Sequence, residues 1–101
     1  IEPKRSIGPA EEAFVDACKD GDLEGMLKLL EDDPALLTEA QDMHGWTGFH
    51  EACYYGFMDI VKYSVTEAPT VAYIKNDAGR TGFHDACYNG HVEIIKFLAQ
   101  K

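Results

Sequence analysis

The chain has 101 residues, of which 46% are hydrophobic, and a formal net charge of −9. This length suffices for one domain with a modest core, and no apolar run approaches the roughly 20 residues that span a bilayer, so we expect no direct membrane insertion. A negative field repels the phosphate backbone, so we also expect no nucleic-acid partner.

The acidic residues are concentrated in the first part of the chain. Residues 1–42 hold 12 acidic against 4 basic side chains, whereas residues 43–101 hold 6 against 5. This imbalance favours a partner protein with a basic surface. The three cysteines, an odd number, argue against a disulfide framework and fit the cytoplasm or another intracellular reducing compartment.

The first candidate unit is FVDACKDGDLEGMLKLL at 14–30. Its Ala-Cys pair and Gly21 lie 35 residues before an equivalent pair and Gly56. The apolar residues after Gly21 are spaced as on one face of a helix. A linker with Pro34 follows, and Asp42, three positions before Gly45, predicts a tight turn after an outward excursion.

The second unit is HGWTGFHEACYYGFMDIVKY at 44–63. Thr47 is a suitable N-cap, and His50 stands where a capping box places Glu or Gln. The helix should run to about Tyr55 and stop at Gly56, since glycine readily takes the left-handed conformation. A second helix is then predicted from an apolar stripe, whose members are Ile60, Val61 and Val65.

The third unit, AGRTGFHDACYNGHVEIIKF at 78–97, repeats the second at an offset of 34 residues. Repeats of this period indicate stacked units that bury their apolar faces against one another, and three units are about the minimum for a stable stack. The third unit stops inside its second helix. The sequence therefore leaves two alternatives for its exposed C-terminal face, which are coverage by further repeats and self-association.

GWTGFHEACYYG and GRTGFHDACYNGHVEIIKFL resemble the ankyrin repeat, whose pattern is Gly-x-Thr-Pro-Leu-His followed by small residues, Gly-His and an apolar helix. The resemblance implies an all-α solenoid of stacked helix-turn-helix units joined by projecting β-turn or hairpin loops. We expect an N-terminal extension at 1–11, a degenerate capping repeat at 12–41, a repeat at 42–75 and an incomplete repeat at 76–101.

This chain twice has Gly-Phe where the family usually has Pro-Leu. Glycine adds freedom to the unfolded chain, at a cost of roughly 0.5–1 kcal/mol per site, and we expect the larger Phe49 and Phe83 side chains to offset this by burying more area. Tyr63, Tyr73 and Phe97 are predicted to be packing residues.

The His and Cys residues of each unit invite a chemical interpretation that their spacing does not favour. His50 with Cys53, and His84 with Cys87, share helix faces, but stacked helices lie about 8–10 Å apart, too far for one zinc ion or for a disulfide. A catalytic thiol would not need to recur in every unit. We therefore predict no enzyme activity, no metal and no cofactor. In the resembled family, this His hydrogen-bonds the turn backbone.

The resemblance also implies non-catalytic binding of a partner protein through a concave face made of turn tips and first helices. The aromatic residues and Arg are the types enriched in binding hot spots. The predicted partner-binding residues are Met43, His44, Trp46, Tyr54, Tyr55, Asp77, Arg80, Tyr88 and Asn89. Two alternatives remain: the aromatic residues serve packing only, or the chain is a purely structural segment of a longer array, in a scaffold or a channel's cytoplasmic region.

Overall fold

The computed structural model describes residues 7–100, so most of the predicted extension at 1–11 lies outside the described residues. No strand occurs within this range, which has a single isolated antiparallel bridge between Gln41 and Thr47. In chain order the helices are α1, Pro9–Lys19; α2, Leu23–Asp32; α3, Leu36–Glu39; α4, Gly48–Tyr55; α5, Met58–Glu67; a 3-10 helix, Pro69–Tyr73; α6, Gly82–Tyr88; and α7, Val92–Ala99. The first helix begins inside the segment predicted as an extension.

Reciprocal capping boxes start α4 and α6, as predicted. Thr47 Oγ1 accepts a hydrogen bond from the His50 backbone N–H at 3.2 Å, and His50 Nδ1 accepts one from the Thr47 N–H at 3.0 Å. Thr81 and His84 form the same box. The predicted stop at Gly56 is also confirmed, since this residue has φ 86° and ψ 31°. The first helices of the units therefore begin and end where local side-chain chemistry requires.

The linkers differ from the extended excursions that the sequence suggested. Each begins with a short helical turn, α3 in the first linker and the 3-10 helix in the second. Leu36, Leu37 and Val71 in these turns are buried. Burial of these apolar side chains against the neighbouring helices favours a helical turn over an extended path. The tight turns that follow are as predicted, with Gly45 at φ 82° and Gly79 at φ 79°.

The first helices stack in the order α1, α4, α6, and each second helix packs against its own first helix. Gly48 brings α4 close to α1, since a Cβ there would lie 2.5 Å from Cys18 Sγ and 2.9 Å from the Phe14 ring. Gly82 does the same for α6, where a Cβ would lie 2.5 Å from the Phe49 ring. At each interface, the phenylalanine ring of one unit thus packs against the glycine of the next unit.

This contact explains the Gly-Phe dipeptide and corrects one expectation. Phe49 is buried, with 1% of its side chain exposed, as predicted, whereas Phe83 is 38% exposed. The expectation that both rings offset the glycine cost was therefore wrong for Phe83, because a ring at this position is covered by the following unit's first helix and not by its own.

The apolar stripes of the second helices face the core, as predicted. Ile60, Val61 and Val65 are buried, and Ile94 occupies the equivalent position in α7. Tyr63 and Phe97 pack against this core. Tyr73 was predicted to do the same, and that prediction was wrong, since its side chain is 75% exposed. It ends the 3-10 helix, whose apolar contact is made by the buried Val71.

Candidate partner-binding face

The turn that precedes α4 folds an indole ring onto that helix. Asp42 Oδ1 organises the turn by accepting hydrogen bonds from the backbone N–H groups of His44 at 2.8 Å and Trp46 at 3.0 Å. The Trp46 and Tyr54 rings meet edge to face with centroids 5.4 Å apart, and Tyr54 meets Tyr55 in the same way at 5.0 Å. We call Trp46, Tyr54 and Tyr55 the aromatic cluster. Tyr55 is 45% exposed and the other two are half-buried, so the cluster offers apolar surface to solvent.

A buried carboxylate lies beside the aromatic cluster. Glu51 is only 7% exposed, and it lines a shallow cleft of about 300 Å³ together with the cluster, Asp42 and His44. Burial raises the pKa of Glu51 to about 7, with a further contribution from Asp42, while Lys19 opposes the change. The cleft therefore combines aromatic rings with a carboxylate that is poorly solvated, which disfavours its ionised form.

The next unit places a second carboxylate at the equivalent position. Asp85 on α6 is 2% exposed, and its Oδ2 has no hydrogen-bond partner among the described residues. Burial raises the pKa of Asp85 to about 6, and Arg80 and His84 oppose this rise. The charge on Asp85 also contributes to raising the pKa of Glu51, so the two carboxylates add a negative potential beside the aromatic cluster.

His50 is occupied by structural contacts and does not face the cleft. Its Nδ1 accepts from the Thr47 N–H, so Nε2 carries the proton and donates to the Arg80 carbonyl oxygen at 2.8 Å. Burial lowers the pKa of His50, so the neutral imidazole is favoured. The role implied by the resemblance, a bond from this His to the turn backbone, is confirmed at His50.

The other predicted site residues are distributed around this cleft. Met43 is 46% exposed and lines a neighbouring cleft beside α1. The Asp77 N–H donates to the His44 carbonyl oxygen at 2.9 Å, which joins the two successive turns. Arg80 is exposed at the second turn.

Tyr88 and Asn89 lie at the end of α6. Tyr88 is 73% exposed and is not among the residues that line the cleft. Asn89 Nδ2 donates to the Tyr54 carbonyl oxygen at 2.7 Å, and His91 Nε2 lies 2.7 Å from the same oxygen. Asn89 therefore helps to hold the C-terminal end of α4, and so supports the aromatic cluster from behind.

Cys18 and Cys53 are buried at packing positions, whereas Cys87 is exposed. Burial raises the pKa of the Cys18 thiol to about 12 and raises that of Cys53 further, so both remain protonated at neutral pH, which is the poorly nucleophilic form. Across residues 7–100, no group of three or more His, Cys, Asp or Glu side chains is placed to hold a metal ion. No helix in the same range is long and apolar enough to cross a membrane.

The family follows from comparison of the whole repeat pattern with known families. A family model for ankyrin repeats, in three copies, matches residues 14–101. The chain belongs to the ankyrin-repeat family. The three stacked helix pairs and their intervening turns are thus ankyrin repeats, and such repeats are generally non-catalytic modules of protein–protein interaction. None of the curated proteins compared with the chain is significantly similar to it.

Sequence reasoning missed the two carboxylates as parts of the face. Acidic side chains are usually solvated, and neither Glu51 nor Asp85 is among the residues predicted for the face. A usable signal was available: both lie between a capping His and a small residue at positions that the fold buries. Phe57 was also missed, although its ring stacks near Tyr55 with centroids 6.4 Å apart.

Proposed function

We propose that this ankyrin-repeat protein is a non-catalytic interaction module that binds a partner protein with a basic surface. The proposed face consists of the turn tips and the exposed sides of α4 and α6. One observation carries the proposal: three partly exposed aromatic rings, in which Tyr54 contacts both Trp46 and Tyr55, adjoin a buried carboxylate in a single cleft. Aromatic side chains bury a large area with few rotatable bonds, which is why they dominate binding hot spots.

The remaining predicted residues would form the rim of this face. Met43 and His44 extend it toward α1, and Arg80 and Tyr88 extend it toward the third repeat. Asp77 and Asn89 would act mainly by fixing the turn and the end of α4, through the hydrogen bonds described above. The net charge of −9 supports a basic partner surface, because complementary charge speeds association.

Affinity capture from a cell lysate tests the proposal with a matched pair of variants. The double substitution Trp46→Ala/Tyr55→Ala should abolish capture of the specific partners, because it removes the exposed rings at the centre of the face. Tyr73→Ala is the control, since Tyr73 is the more exposed ring, at 75%, but lies outside the cleft. Unchanged capture by the double variant would refute the proposed face.

A purely structural role within a longer array is the second candidate, and one observation favours it. Phe83 and Cys87 are exposed, whereas the equivalent Phe49 and Cys53 are buried under the next repeat. Under this alternative, Phe83→Ser would disturb assembly of the array, and Trp46→Ala/Tyr55→Ala would leave every interaction intact. The same capture experiment, extended to Phe83→Ser, therefore separates the two candidates.

A further inference from the structure

The cleft beside the aromatic cluster contains a largely buried carboxylate. Glu51 is 7% exposed, and it lines the cleft together with Trp46, Tyr54 and Tyr55. A buried carboxylate without a paired cation is costly, and a charged hydrogen-bond donor that reached it would relieve that cost. Glu51 nevertheless lines the open cleft, so such a donor could approach from solvent.

The walls of the cleft suit a cation with an apolar stem. Trp46, Tyr54 and Tyr55 line the cleft, and aromatic rings attract cations through their quadrupole. Asp42 also lines the cleft and adds negative charge, while its Oδ1 stays engaged by the turn backbone. Among the described residues, Lys19, which is exposed at the end of α1, is the cation that opposes the rise in the pKa of Glu51.

We propose that this cleft binds a basic side chain of the partner protein, a lysine ammonium or an arginine guanidinium, with its N–H groups donating to Glu51 and its stem against the aromatic cluster. The inference rests on the proposed function and specifies the chemistry that the face recognises. Two features of the site support the proposal. The aromatic walls favour a cation, and the Glu51 carboxylate favours a cation that carries N–H donors.

Small cations test the cleft without knowledge of the partner. Trp46 is the only tryptophan of the chain, so its fluorescence reports directly on the site. We expect n-butylammonium or ethylguanidinium to change the emission saturably, with roughly millimolar affinity for ligands of this size. The isosteric neutral alcohol n-butanol should bind more weakly, and so should tetramethylammonium, which is a cation without N–H donors.

Matched variants assign the effect to Glu51. Glu51→Gln should weaken binding of the preferred cation about tenfold, because it removes the charged acceptor. Glu67→Gln removes the same charge from an exposed position on α5 and should leave the affinity within about twofold. Lys19→Gln should tighten binding, since it removes a competing cation.

Titration with acid gives a second readout. Binding a cation favours the ionised form of Glu51, so affinity for n-butylammonium should fall between about pH 8 and about pH 6, and Glu51→Gln should lose that dependence. Charged and titratable groups facing Glu51 from the neighbouring elements contribute to the profile; they are Asp16, Lys19, Asp42, His44 and Asp85.

The cation-binding experiments can fail independently of the capture experiment. Equal binding of n-butanol or tetramethylammonium, or equal losses in Glu51→Gln and Glu67→Gln, would overturn the cation site. Capture that depends on Trp46 and Tyr55 but not on Glu51 would leave the proposed function standing and remove this inference. Capture that depends on neither set would remove the proposed function itself.

Discussion

The tetrapeptide Thr-Gly-Phe-His occurs at 47–50 and again at 81–84, and the two copies differ sharply in their surroundings. In the first copy Phe49 is 1% exposed and His50 is fully buried. In the second copy Phe83 is 38% exposed and His84 is exposed. Both copies form the same capping box.

The difference distinguishes structural features that depend on one repeat alone from features that require contact with the next repeat. The cap depends only on residues of one unit, so it forms in both copies. Burial of the ring and the second bond of the histidine depend on the helix and turn of the following unit, so they occur only in the first copy. Matched substitutions at equivalent positions measure these two contributions separately.

The largest contrast is expected at the phenylalanines. Phe49→Ala should lower the free energy of unfolding by about 3–5 kcal/mol, because it leaves a cavity between α4 and α6. Phe83→Ala should cost about 1 kcal/mol, since its ring is already partly hydrated. Urea denaturation of both variants checks this, and Phe49→Leu serves if Phe49→Ala does not fold. Equal losses at the two positions would contradict the comparison.

The histidines should differ by a smaller amount. Both His50→Ala and His84→Ala remove a capping box, worth about 1 kcal/mol. His50→Ala also removes the 2.8 Å bond to the Arg80 carbonyl oxygen and leaves that acceptor without its donor, which should add about 1–3 kcal/mol. Thermal unfolding of the pair gives the added cost as a difference. A difference near zero would show that the bond between the repeats contributes nothing to stability.

The smallest effects concern the carboxylates and depend on pH. Because the folded-state pKa values of Glu51 and Asp85 are raised to about 7 and about 6, the native state binds protons more tightly than the unfolded chain. Their contribution to stability is therefore full below about pH 4 and is lost as the pH rises to about 7. Glu51→Gln should raise the stability at about pH 8 by on the order of 2 kcal/mol and leave it nearly unchanged at about pH 4.

Asp85→Asn should act in the same direction but less strongly, because Glu51 lies between acidic residues on both α1 and α6 and Asp85 does not. Glu67→Gln is the control for the removal of one charge. His50 works in the opposite sense: because burial lowers its folded-state pKa, its contribution is full above about pH 6.5 and is lost as the pH falls below that value. Chemical denaturation across this pH range should therefore show the carboxylate effect as a pH-dependent difference in unfolding free energy between each variant and the wild type. No pH dependence in that difference would contradict the assignment.

Sequence periodicity was sufficient to predict the helices of the repeats, the caps of their first helices and the stacking of the units. The same 34-residue offset that aligns Thr47 with Thr81 aligns the residues that form both capping boxes. The family pattern also led correctly to the turn bond of His50. These features are local or recur between units, so comparing the units of a single sequence is enough to predict them.

Properties that depend on a unit's position in the stack could not be obtained in this way. The exposure of Phe83 and Tyr73, the short helical turns in the linkers and the burial of Glu51 all depend on which surfaces meet in three dimensions. Phe49 and Phe83, for example, lie in the same tetrapeptide but have different neighbours in three dimensions. The sequence did identify the aromatic residues of the face, and the prediction that they bind a partner stays a prediction.

The contact between Phe49 and Gly82 gives the stack a polarity. Each interface is heterologous, with a ring on one surface and a bare backbone on the other, so a two-fold dimer cannot be built from it. A head-to-tail copy would need a glycine on α1, and that helix carries Ala13 at the position that corresponds to Gly48. By analogy with Gly82, we expect the methyl group of Ala13 to hinder the approach of the Phe83 ring of another copy. We therefore expect this interface not to propagate into open-ended filaments.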